Sequence, residues 1–124
     1  SEDHPETLES ANNLALDLHA LGQFERARQL DEDTLVRRRR VLGEDHPETL
    51  RSVSNLARDL YALGEHERAR QLDEDTLARR RRVLGEDHPD TLRSAHNLVG
   101  YPYALGKHER ARRIEDRIRS QHES

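Results

Sequence analysis

The sequence is poor in the residues on which most active sites and most compact cores depend. It has no cysteine, methionine or tryptophan, and only one phenylalanine and three tyrosines among its 124 residues. The absence of cysteine excludes a disulfide framework and thiol chemistry. The aromatic residues, 3% of the chain, are too few to build a surface on which nucleic-acid bases stack. No apolar run is long enough for a signal peptide or a membrane span, so we expect a cytoplasmic protein that does not bind membranes.

A strong excess of one charge is also missing. The 21 basic and 25 acidic residues leave a net charge of −4, which argues against a general nucleic-acid binder. The charged fraction of 37% would by itself suggest disorder. The apolar residues recur at regular intervals, however, and this regularity indicates a folded chain.

What the sequence does contain is one unit written three times. Residues 43–84 read GEDHPETLRSVSNLARDLYALGEHERARQLDEDTLARRRRVL, and residues 1–42 match them at 33 of 42 positions. Residues 85–124 form an eroded third copy. A fixed period in this range is typical of a stacked repeat array, so we predict three repeats, at 1–42, 43–84 and 85–124. Because the first copy begins in phase and without methionine, we expect a segment of a longer array, whose SQHES tail is a genuine terminus.

Each copy predicts two helices joined by a short turn. Pro5 suits the first helical position, His4 or Asp3 precedes it as a cap, and Gly22 ends the helix in a left-handed conformation. Apolar spacing then predicts helices over about 5–21, 24–42, 47–63 and 66–84. The predicted buried positions are Leu8, Ala11, Leu14, Ala15, Leu18 and Leu21 in the first helix, and Ala27, Leu30, Thr34, Leu35, Val41 and Leu42 in the second.

The third copy departs from the pattern in its first helix. Gly100 and Pro102 stand where copy two has Arg58 and Leu60. Proline inside a helix removes a donor and clashes with the preceding turn, so we expect a kink or break between Val99 and Tyr103. Two interpretations stay open: a bend that re-aims Tyr101 and Tyr103, or the decay of a terminal repeat.

The unit resembles the tetratricopeptide repeat of the 42-residue kind found in kinesin light chains and many bacterial proteins. The residues that carry the resemblance are Asn13-Leu14-Ala15, Leu18, Gly22, Phe24 and Ala27, then Asn55-Leu56-Ala57, Leu60, Gly64 and Ala69, then Asn97-Leu98, Gly106 and Ala111, together with the GEDHP linker. The resemblance implies an all-α solenoid of three helix-turn-helix repeats in a right-handed superhelix. It further implies a concave face, lined mainly by the first helix of each repeat, that holds a peptide or a partner protein.

Differences between copies one and two indicate where a ligand would bind. Four varied positions of the first helix are spaced by three, four and three residues, so they form one stripe beside the apolar face. Glu6, Ser10 and Asp17 are expected to be exposed as well, yet they do not vary. Recognition and neutral drift both remain open as explanations. The stripe reads Glu9, Asn12, Leu16 and His19 in copy one, Arg51, Ser54, Arg58 and Tyr61 in copy two, and Arg93, His96, Gly100 and Tyr103 in copy three.

The chemistry of this stripe favours an acidic ligand. Arginine offers paired donors to a carboxylate, and tyrosine offers flat contact area. We therefore predict a groove for an extended acidic peptide, centred on copies two and three. In the resembling family the asparagine at the position of Asn13, Asn55 and Asn97 often grips a peptide backbone or terminal carboxylate; a structural hydrogen bond between neighbouring helices is the alternative. The predicted peptide-binding residues are Asn13, Arg51, Asn55, Arg58, Tyr61, Arg93, His96, Asn97 and Tyr103.

The two arginine runs, Arg37–Arg40 and Arg79–Arg82, predict ion pairs. Four consecutive residues point to all sides of a helix and cannot form one flat basic face. Acids lie one turn earlier, and Asp33 with Arg37 is a favourable pair. We interpret the runs as a solvated ion-pair network, with phosphate or nucleic-acid contact as the lesser alternative.

The sequence contains no motif for metal binding, cofactor binding or catalysis. Equivalent histidines recur once per repeat, about one helix diameter or roughly 10 Å apart, which is too far to share a metal ion. His4, His46 and His88 are therefore expected to act as caps or in packing. Neither a glycine-rich phosphate loop nor a clustered acid–base pair is present, so we expect no enzyme activity and no cofactor.

Three functions remain to be compared. The first is a protein-interaction scaffold with a peptide groove, and the second is a structural spacer without a ligand. For the second, an apolar side of the first hairpin that includes Leu8, Ala11, Ala15 and Leu18 would be exposed, and homo-oligomers would form through the repeat ends. The third and weakest is a nucleic-acid scaffold that uses the arginine runs.

Overall fold

The computed structural model describes residues 3–99 and 117–121. The helices of this part of the chain are α1 (Pro5–Ala20), α2 (Phe24–Leu42), α3 (Pro47–Ala62), α4 (His66–Leu84) and α5 (Pro89–Val99). Residues 117–121 are helical as well. No strand occurs in the described residues. The predicted all-α fold and its helices are confirmed. The predicted helices 5–21 and 47–63 are each one residue too long, because Leu21 and Leu63 are the C-caps of α1 and α3.

The histidine of each Asp-His-Pro sequence caps the helix that follows it, as predicted. His4 and His46 have extended backbones, and their Nδ1 atoms accept the amides of Glu6 and Glu48 at 3.1 Å. His88 accepts the amide of Asp90 at the same distance. Each imidazole therefore satisfies a backbone donor that the first turn of a helix leaves unpaired.

The turn between α1 and α2 depends on one glycine. Gly22 has a φ of 82°, a conformation that strains residues with a Cβ atom. This geometry lets the amide of Gln23 bond to the carbonyl of Leu18 at 2.8 Å, and the amide of Gly22 bond to that of His19 at 2.9 Å. The two bonds close the end of α1 and direct the chain into α2 after three residues.

The chain divides into two compact units, Ser1–Leu72 and Asp73–Ser124. In the first unit α2 packs against both α1 and α3, and α1 also contacts α3. Its buried apolar side chains are contributed by α1, α2, α3 and the first half of α4: Leu8, Ala15, Leu18, Ala27, Leu35, Leu50, Val53, Leu56, Ala57, Leu60 and Ala69. Each fully buried leucine contributes roughly 1.5–3 kcal/mol. In the second unit Leu77, Ala95 and Leu98 are buried.

Four predicted core positions are wrong. Leu14, Leu21, Val41 and Leu42 are exposed. Leu14 is 52% exposed, whereas Leu56, at the same position of copy two, is 3% exposed. A helical pattern shows which face is apolar but not whether a neighbouring helix covers that face. Thr49 and Ser52, which share a side of α3 with Leu56, bond to Arg38 of α2.

The expected apolar end of the first hairpin is also misplaced. Leu8, Ala15 and Leu18 are buried, so they offer no surface for association. The exposed leucines of this hairpin are Leu14, Leu21 and Leu42. Leu14 and Leu21 lie beside the buried side of α1, so the apolar arc of this helix is wider than the part that its neighbours cover.

The predicted kink or break between Val99 and Tyr103 lies outside the described residues, as do Gly100 and Pro102. The last described residue of α5 is Val99.

Candidate functional site

The varied stripe of α1 lies beside α3, and polar contacts join the two helices along its length. Near the N-termini, Arg51 Nη2 donates to Glu9 Oε2 at 2.5 Å. In the middle, Asn55 Nδ2 donates to Asn12 Oδ1 at 2.5 Å. Near the C-termini, His19 Nδ1 and Asp59 Oδ1 are 2.8 Å apart and share a hydrogen bond. We call the surface formed by these two helices the α1–α3 face.

The first contact belongs to a cluster of two arginines and two glutamates, in which Arg38 is buried and the other three side chains are partly exposed. Arg38, only 2% exposed, donates to Glu9 Oε2 at 3.1 Å and to Ser52 Oγ at 2.8 Å, and lies 3.5 Å from Glu48 Oε2. Arg51 donates to the same carboxylates, at 2.5 and 2.7 Å. Two positive and two negative charges thus share one site. A buried guanidinium is tolerated only when it is paired in this way.

The arginine runs therefore combine two different roles. Arg37 pairs with Asp33 and Asp3 at 2.9 Å, Arg40 with Asp3 at 2.7 Å, and Arg39 with Glu44 at 3.3 Å, which confirms the predicted ion pairs of the exposed positions. The interpretation as a wholly solvated network is wrong for Arg38 and Arg80, since both are buried. One arginine in four faces the next helix, because a helix places only one of four consecutive residues on that side.

Arg80 repeats the contact of Arg38 in the second unit. Its Nη1 donates to Ser94 Oγ at 2.7 Å and to the carbonyl oxygen of Asp90 at 3.4 Å. Arg38 makes the equivalent bonds to Ser52 at 2.8 Å and to the Glu48 carbonyl at 3.4 Å. Burial lowers the pKa of Arg80, and nearby Arg93 acts in the same direction against Asp90 and Asp73. The recurrence shows that arginine and serine at this spacing join one helix of a repeat to the next.

A second buried polar cluster holds two carboxyl groups. Asp31 and Asp59 are 3% and 1% exposed, and each lies within the electrostatic reach of the other. Burial, a hydrogen bond to Asp59 and the charge of Asp59 raise the pKa of Asp31 to about 9. Burial also raises the pKa of Asp59. Two carboxylates at such short range cannot both be charged, so the pair holds a proton at neutral pH.

His19 and Arg58 complete the surroundings of the carboxyl pair. Burial lowers the pKa of His19, and the charge of Arg58 adds to this effect, so the imidazole is neutral at pH 7. Arg58 is exposed and makes no hydrogen bond or ion pair with the described residues. Its charge lowers the pKa of both carboxyl groups, but Asp31 stays protonated.

Tyr61 lies one turn beyond Arg58 on the same side of α3. Its ring is 39% exposed and meets the His66 ring edge-on at a centroid distance of 4.4 Å. His19 and Phe24 form the same contact in copy one at 4.9 Å. Residues three apart on a helix are neighbours, so a cation and an aromatic ring stand together at this end of the α1–α3 face.

The three predicted asparagines differ in their surroundings. Asn55 is buried and bonded to Asn12 across the helices, which is the structural role that the sequence left open. Asn13 and Asn97 are exposed. Asn12 is 2% exposed, so one residue of the predicted ligand-facing stripe is buried between the helices instead.

In the second unit the predicted residues lie on α5. Arg93 and His96 are exposed, and Arg93 donates to Asp90 Oδ1 at 3.1 Å. Tyr103 lies outside the described residues. In the described part of the chain, no group of three or more histidine, aspartate or glutamate side chains is placed to hold a metal ion.

The residues that sequence reasoning missed are Arg38, Arg80, Asp31 and Asp59. Identity between copies one and two gives no signal for them, because the exposed Asp33 and Arg40 are unchanged in copy two just as these four are. Ser52 and Asp59 are counterparts of Ser10 and Asp17, which the sequence analysis expects to be exposed and which do not differ between copies one and two. They are exposed in copy one but buried in copy two, where each contacts α2.

Comparison with protein-family models gives one match. The model described as tetratricopeptide repeat matches residues 6–82 and, in a second alignment, residues 53–121. Together the two alignments cover most of the chain. Comparison with curated proteins returned no match.

Solved structures of kinesin-light-chain-like repeats superpose on the chain. A putative kinesin light chain from Podosopora anserina with nearly identical TPR-like repeats is 31% identical, with a TM-score of 0.82, and a point variant of it scores 0.83. BtubC (BKLC) from P. vanneervenii is 27% identical with a TM-score of 0.86. These matches cover 96–97% of this chain, which spans only 57% of the first two proteins and 48% of the third. None of the helices in the described residues has the length and apolar character needed to cross a membrane.

Proposed function

Because the chain belongs to the tetratricopeptide repeat family, whose members are non-catalytic protein-interaction scaffolds, we propose that it holds an acidic segment of a partner protein on the α1–α3 face. The proposed location is the cytoplasm, on the basis of composition alone. The proposed repeats remain those read from the sequence, residues 1–42, 43–84 and 85–124.

The observation that carries the proposal is the state of Arg58. It is exposed and makes no hydrogen bond or ion pair within the described residues, and it acts on the two buried acids nearby only through its charge, which lowers the pKa of both. A carboxylate of the ligand would gain a charge-assisted hydrogen bond there without displacing an existing partner. Tyr61 would supply apolar contact for the adjoining residue of the ligand.

Arg51 has a different part in the proposal. It already donates to Glu9 and Glu48, so an incoming acid would have to compete with two carboxylates. We assign Arg51 and Asn55 to the support of the face, and Arg58 and Tyr61 to the direct contact. Asn13 remains part of the proposed site as an exposed hydrogen-bonding group.

The second unit offers a separate set of side chains for the same class of ligand. Arg93, His96 and Asn97 are exposed on α5. The proposal includes Tyr103 on the basis of sequence position alone.

The test uses three fluorescein-labelled octapeptides, made of glutamate, glutamine or lysine, and fluorescence anisotropy at low and high salt. We expect only the glutamate peptide to bind, and binding to weaken with salt, since an exposed ion pair is screened. Arg58→Gln should weaken binding about tenfold, because it removes one charge-assisted hydrogen bond.

Arg26→Gln is the matched control. Arg26 is equally exposed but lies on α2 and donates to Gln23 at 2.8 Å. Equal binding of the glutamate and glutamine peptides, or equal losses from Arg58→Gln and Arg26→Gln, would contradict the proposal.

A further inference from the structure

In the first unit, the carboxylate of Glu9 lies between two guanidinium groups. Its Oε2 atom accepts from Arg38 Nη2 at 3.1 Å and from Arg51 Nη2 at 2.5 Å. Arg38 is buried and is held by Ser52, whose Oγ accepts from Nη1 at 2.8 Å, whereas the side chain of Arg51 is 40% exposed. We call Arg38 with Arg51, and the two residues at the same positions of the next copy, an arginine pair. One acidic side chain fills the space between the members of the first pair.

The second unit contains the next arginine pair, Arg80 and Arg93. Arg80 is 5% exposed, and Ser94 Oγ accepts from its Nη1 at 2.7 Å, which is the bond that also holds the first pair. The side chain of Arg93 is 65% exposed. Burial lowers the pKa of Arg80, and the positive charge of Arg93 acts in the same direction, so the two guanidinium groups lie within electrostatic reach of each other. A buried cation thus has a second cation beside it.

The acid that lies between the members of the first pair has no counterpart in the second. The sequence position that corresponds to Glu9 holds Arg51. Arg38 bonds to Glu9 through Nη2, whereas Arg80 makes both of its hydrogen bonds through Nη1 and forms no ion pair with any residue that the structure describes. In that part of the chain, Nη2 of Arg80 is therefore left without a carboxylate.

The second acid of the cluster is also changed. Glu48 Oε2 lies 3.5 Å from Arg38 Nη2, and the corresponding residue is Asp90, whose side chain is one methylene shorter. Asp90 Oδ1 accepts from Arg93 at 3.1 Å, but within residues 3–99 and 117–121 it forms no ion pair with Arg80. Two carboxylates contact both members of the first pair, whereas one carboxylate bonds to one member of the second.

We propose that the second arginine pair is a binding site for a carboxylate, which a glutamate of the acidic partner segment supplies in the way that Glu9 supplies one in the first unit. The carboxylate accepts from Arg80 Nη2 and from the guanidinium of Arg93. The inference rests on the proposed function for the source of the carboxylate, whereas the site itself involves neither Arg58 nor Tyr61.

Two properties of the second pair favour binding. The guanidinium of Arg80 is fixed in advance by Ser94 and by the carbonyl of Asp90, so binding orders few additional side chains. A carboxylate also supplies the opposite charge that a buried guanidinium requires, and it forms charge-assisted hydrogen bonds with that group. Because Glu9 already shows a side-chain carboxylate in this geometry, the ligand group that matches the site is the carboxylate of a glutamate.

Arg38 and Arg80 can be compared in one NMR spectrum of the ¹⁵N-labelled chain, through the Nε–H signals of their side chains. The probe is the glutamate octapeptide, and the glutamine octapeptide is its uncharged control. We expect the glutamate peptide to shift the Arg80 signal to saturation and to leave the Arg38 signal in place, because Glu9 already fills the first pair. The glutamine peptide should shift neither signal.

Arg93→Gln should weaken the binding that the Arg80 signal reports by about tenfold, since it removes one charge-assisted hydrogen bond. Arg82→Gln is the matched control, because Arg82 is exposed and, two residues from Arg80, points to another side of α4. Circular dichroism shows that each variant keeps its helices. Equal losses from the two variants would overturn the proposal.

Glu9→Gln is the converse test, because it removes the acid that fills the first pair. Glutamine keeps the shape of the side chain but brings no charge, so the Arg38 signal should now respond to the glutamate peptide. The response should be weaker than that of Arg80, since Glu48 stays in place. The unchanged Arg80 signal of this variant shows that the chain is folded. A silent Arg38 signal in the folded variant would show that an arginine pair does not bind a carboxylate, which would also overturn the proposal.

Sodium acetate, compared with sodium chloride at equal ionic strength, separates a free carboxylate from one on a peptide segment. We expect the glutamate peptide to bind at least about tenfold more tightly than acetate, because its neighbouring residues add contacts to the same molecule. Equal affinities would overturn the partner segment as the source of the carboxylate.

The proposed function and this inference can fail separately. Peptide binding that depends on Arg58 but leaves the Arg80 signal unmoved would overturn the inference alone. An Arg80 shift that Arg58→Gln leaves unchanged, with no loss of affinity, would support the inference and contradict the assignment of Arg58 to the ligand. Equal shifts of Arg38 and Arg80 in the wild-type chain would indicate a general response to negative charge, and the inference would be wrong.

Discussion

The helix–helix contacts around Arg38 and Arg80 use the same arginine–serine bond with different acids beside it. In the first, Arg38 bonds to Ser52 and is neutralised by Glu9 and Glu48. In the second, Arg80 bonds to Ser94 and to the carbonyl of Asp90, and burial lowers the pKa of its guanidinium. The comparison teaches that the hydrogen bonds define the register of the helices, whereas the neighbouring carboxylates determine how well the buried charge is tolerated.

The sharpest test of this comparison replaces each arginine by methionine. Arg38→Met should lower the free energy of unfolding by about 3 kcal/mol, because it removes the buried member of a carboxylate-paired cluster. Arg80→Met should cost about half as much, since the charge that it removes is less well compensated. Urea unfolding followed by circular dichroism measures both, and Arg39→Met is the control, expected to stay within about 0.5 kcal/mol because its ion pair is exposed. Equal losses for the two buried positions would mean that the carboxylates around Arg38 contribute nothing.

A second difference between the copies is a pair of buried carboxyl groups. Asp31 meets Asp59, whereas the sequence of copy three has Tyr101 at the position of Asp59. The pKa of Asp31 is raised to about 9 in the folded chain, so the folded state binds a proton that the unfolded state releases above its ordinary pKa. The stability from Asp31 is therefore fully present at acid pH and is lost as pH rises through about 9. The lowered pKa of His19 acts in the opposite sense below neutral pH, because the unfolded imidazole takes up a proton first.

Asp31→Asn should remove this loss of stability at alkaline pH. We expect the wild-type chain to lose on the order of 4 kcal/mol between pH 5 and 8, and the variant to show a much flatter profile. Asparagine has nearly the same shape and keeps a hydrogen bond to Asp59 without a titrating proton. The measurement is urea unfolding at several pH values, with Asp33→Asn, an exposed site on the same helix, as the control. A wild-type profile that is already flat would show that the carboxyl pair holds no proton.

The sequence predicted the fold better than it predicted the site. The caps at His4 and His46, the glycine turn and the four long helices follow from local rules, because each depends on a few neighbouring residues. Leu14 and Leu56 have the same local sequence and opposite exposure, so their difference depends on which helix lies beside them. The same is true of Arg38, which is buried among three exposed or half-exposed arginines. A period in one helix shows which side is apolar, but the pairing of polar residues between helices is a tertiary property.

The smallest effect concerns the asparagine pair in the middle of the α1–α3 face. Asn12 and Asn55 bond to each other, while the same two positions one copy later hold Ser54 and an exposed Asn97. Asn12→Ala should cost about 1 kcal/mol, since it leaves the buried amide of Asn55 without its acceptor. Asn13→Ala, next to it in the chain but exposed, should change stability by less than about 0.5 kcal/mol. A double-mutant cycle with Asn55→Ala isolates the pair energy, and it should recover most of the loss, because neither partner is then left unpaired. If Asn12→Ala and Asn13→Ala were equally neutral, the asparagine at position 55 would be available to a ligand, and the family's peptide-gripping role would apply to it after all.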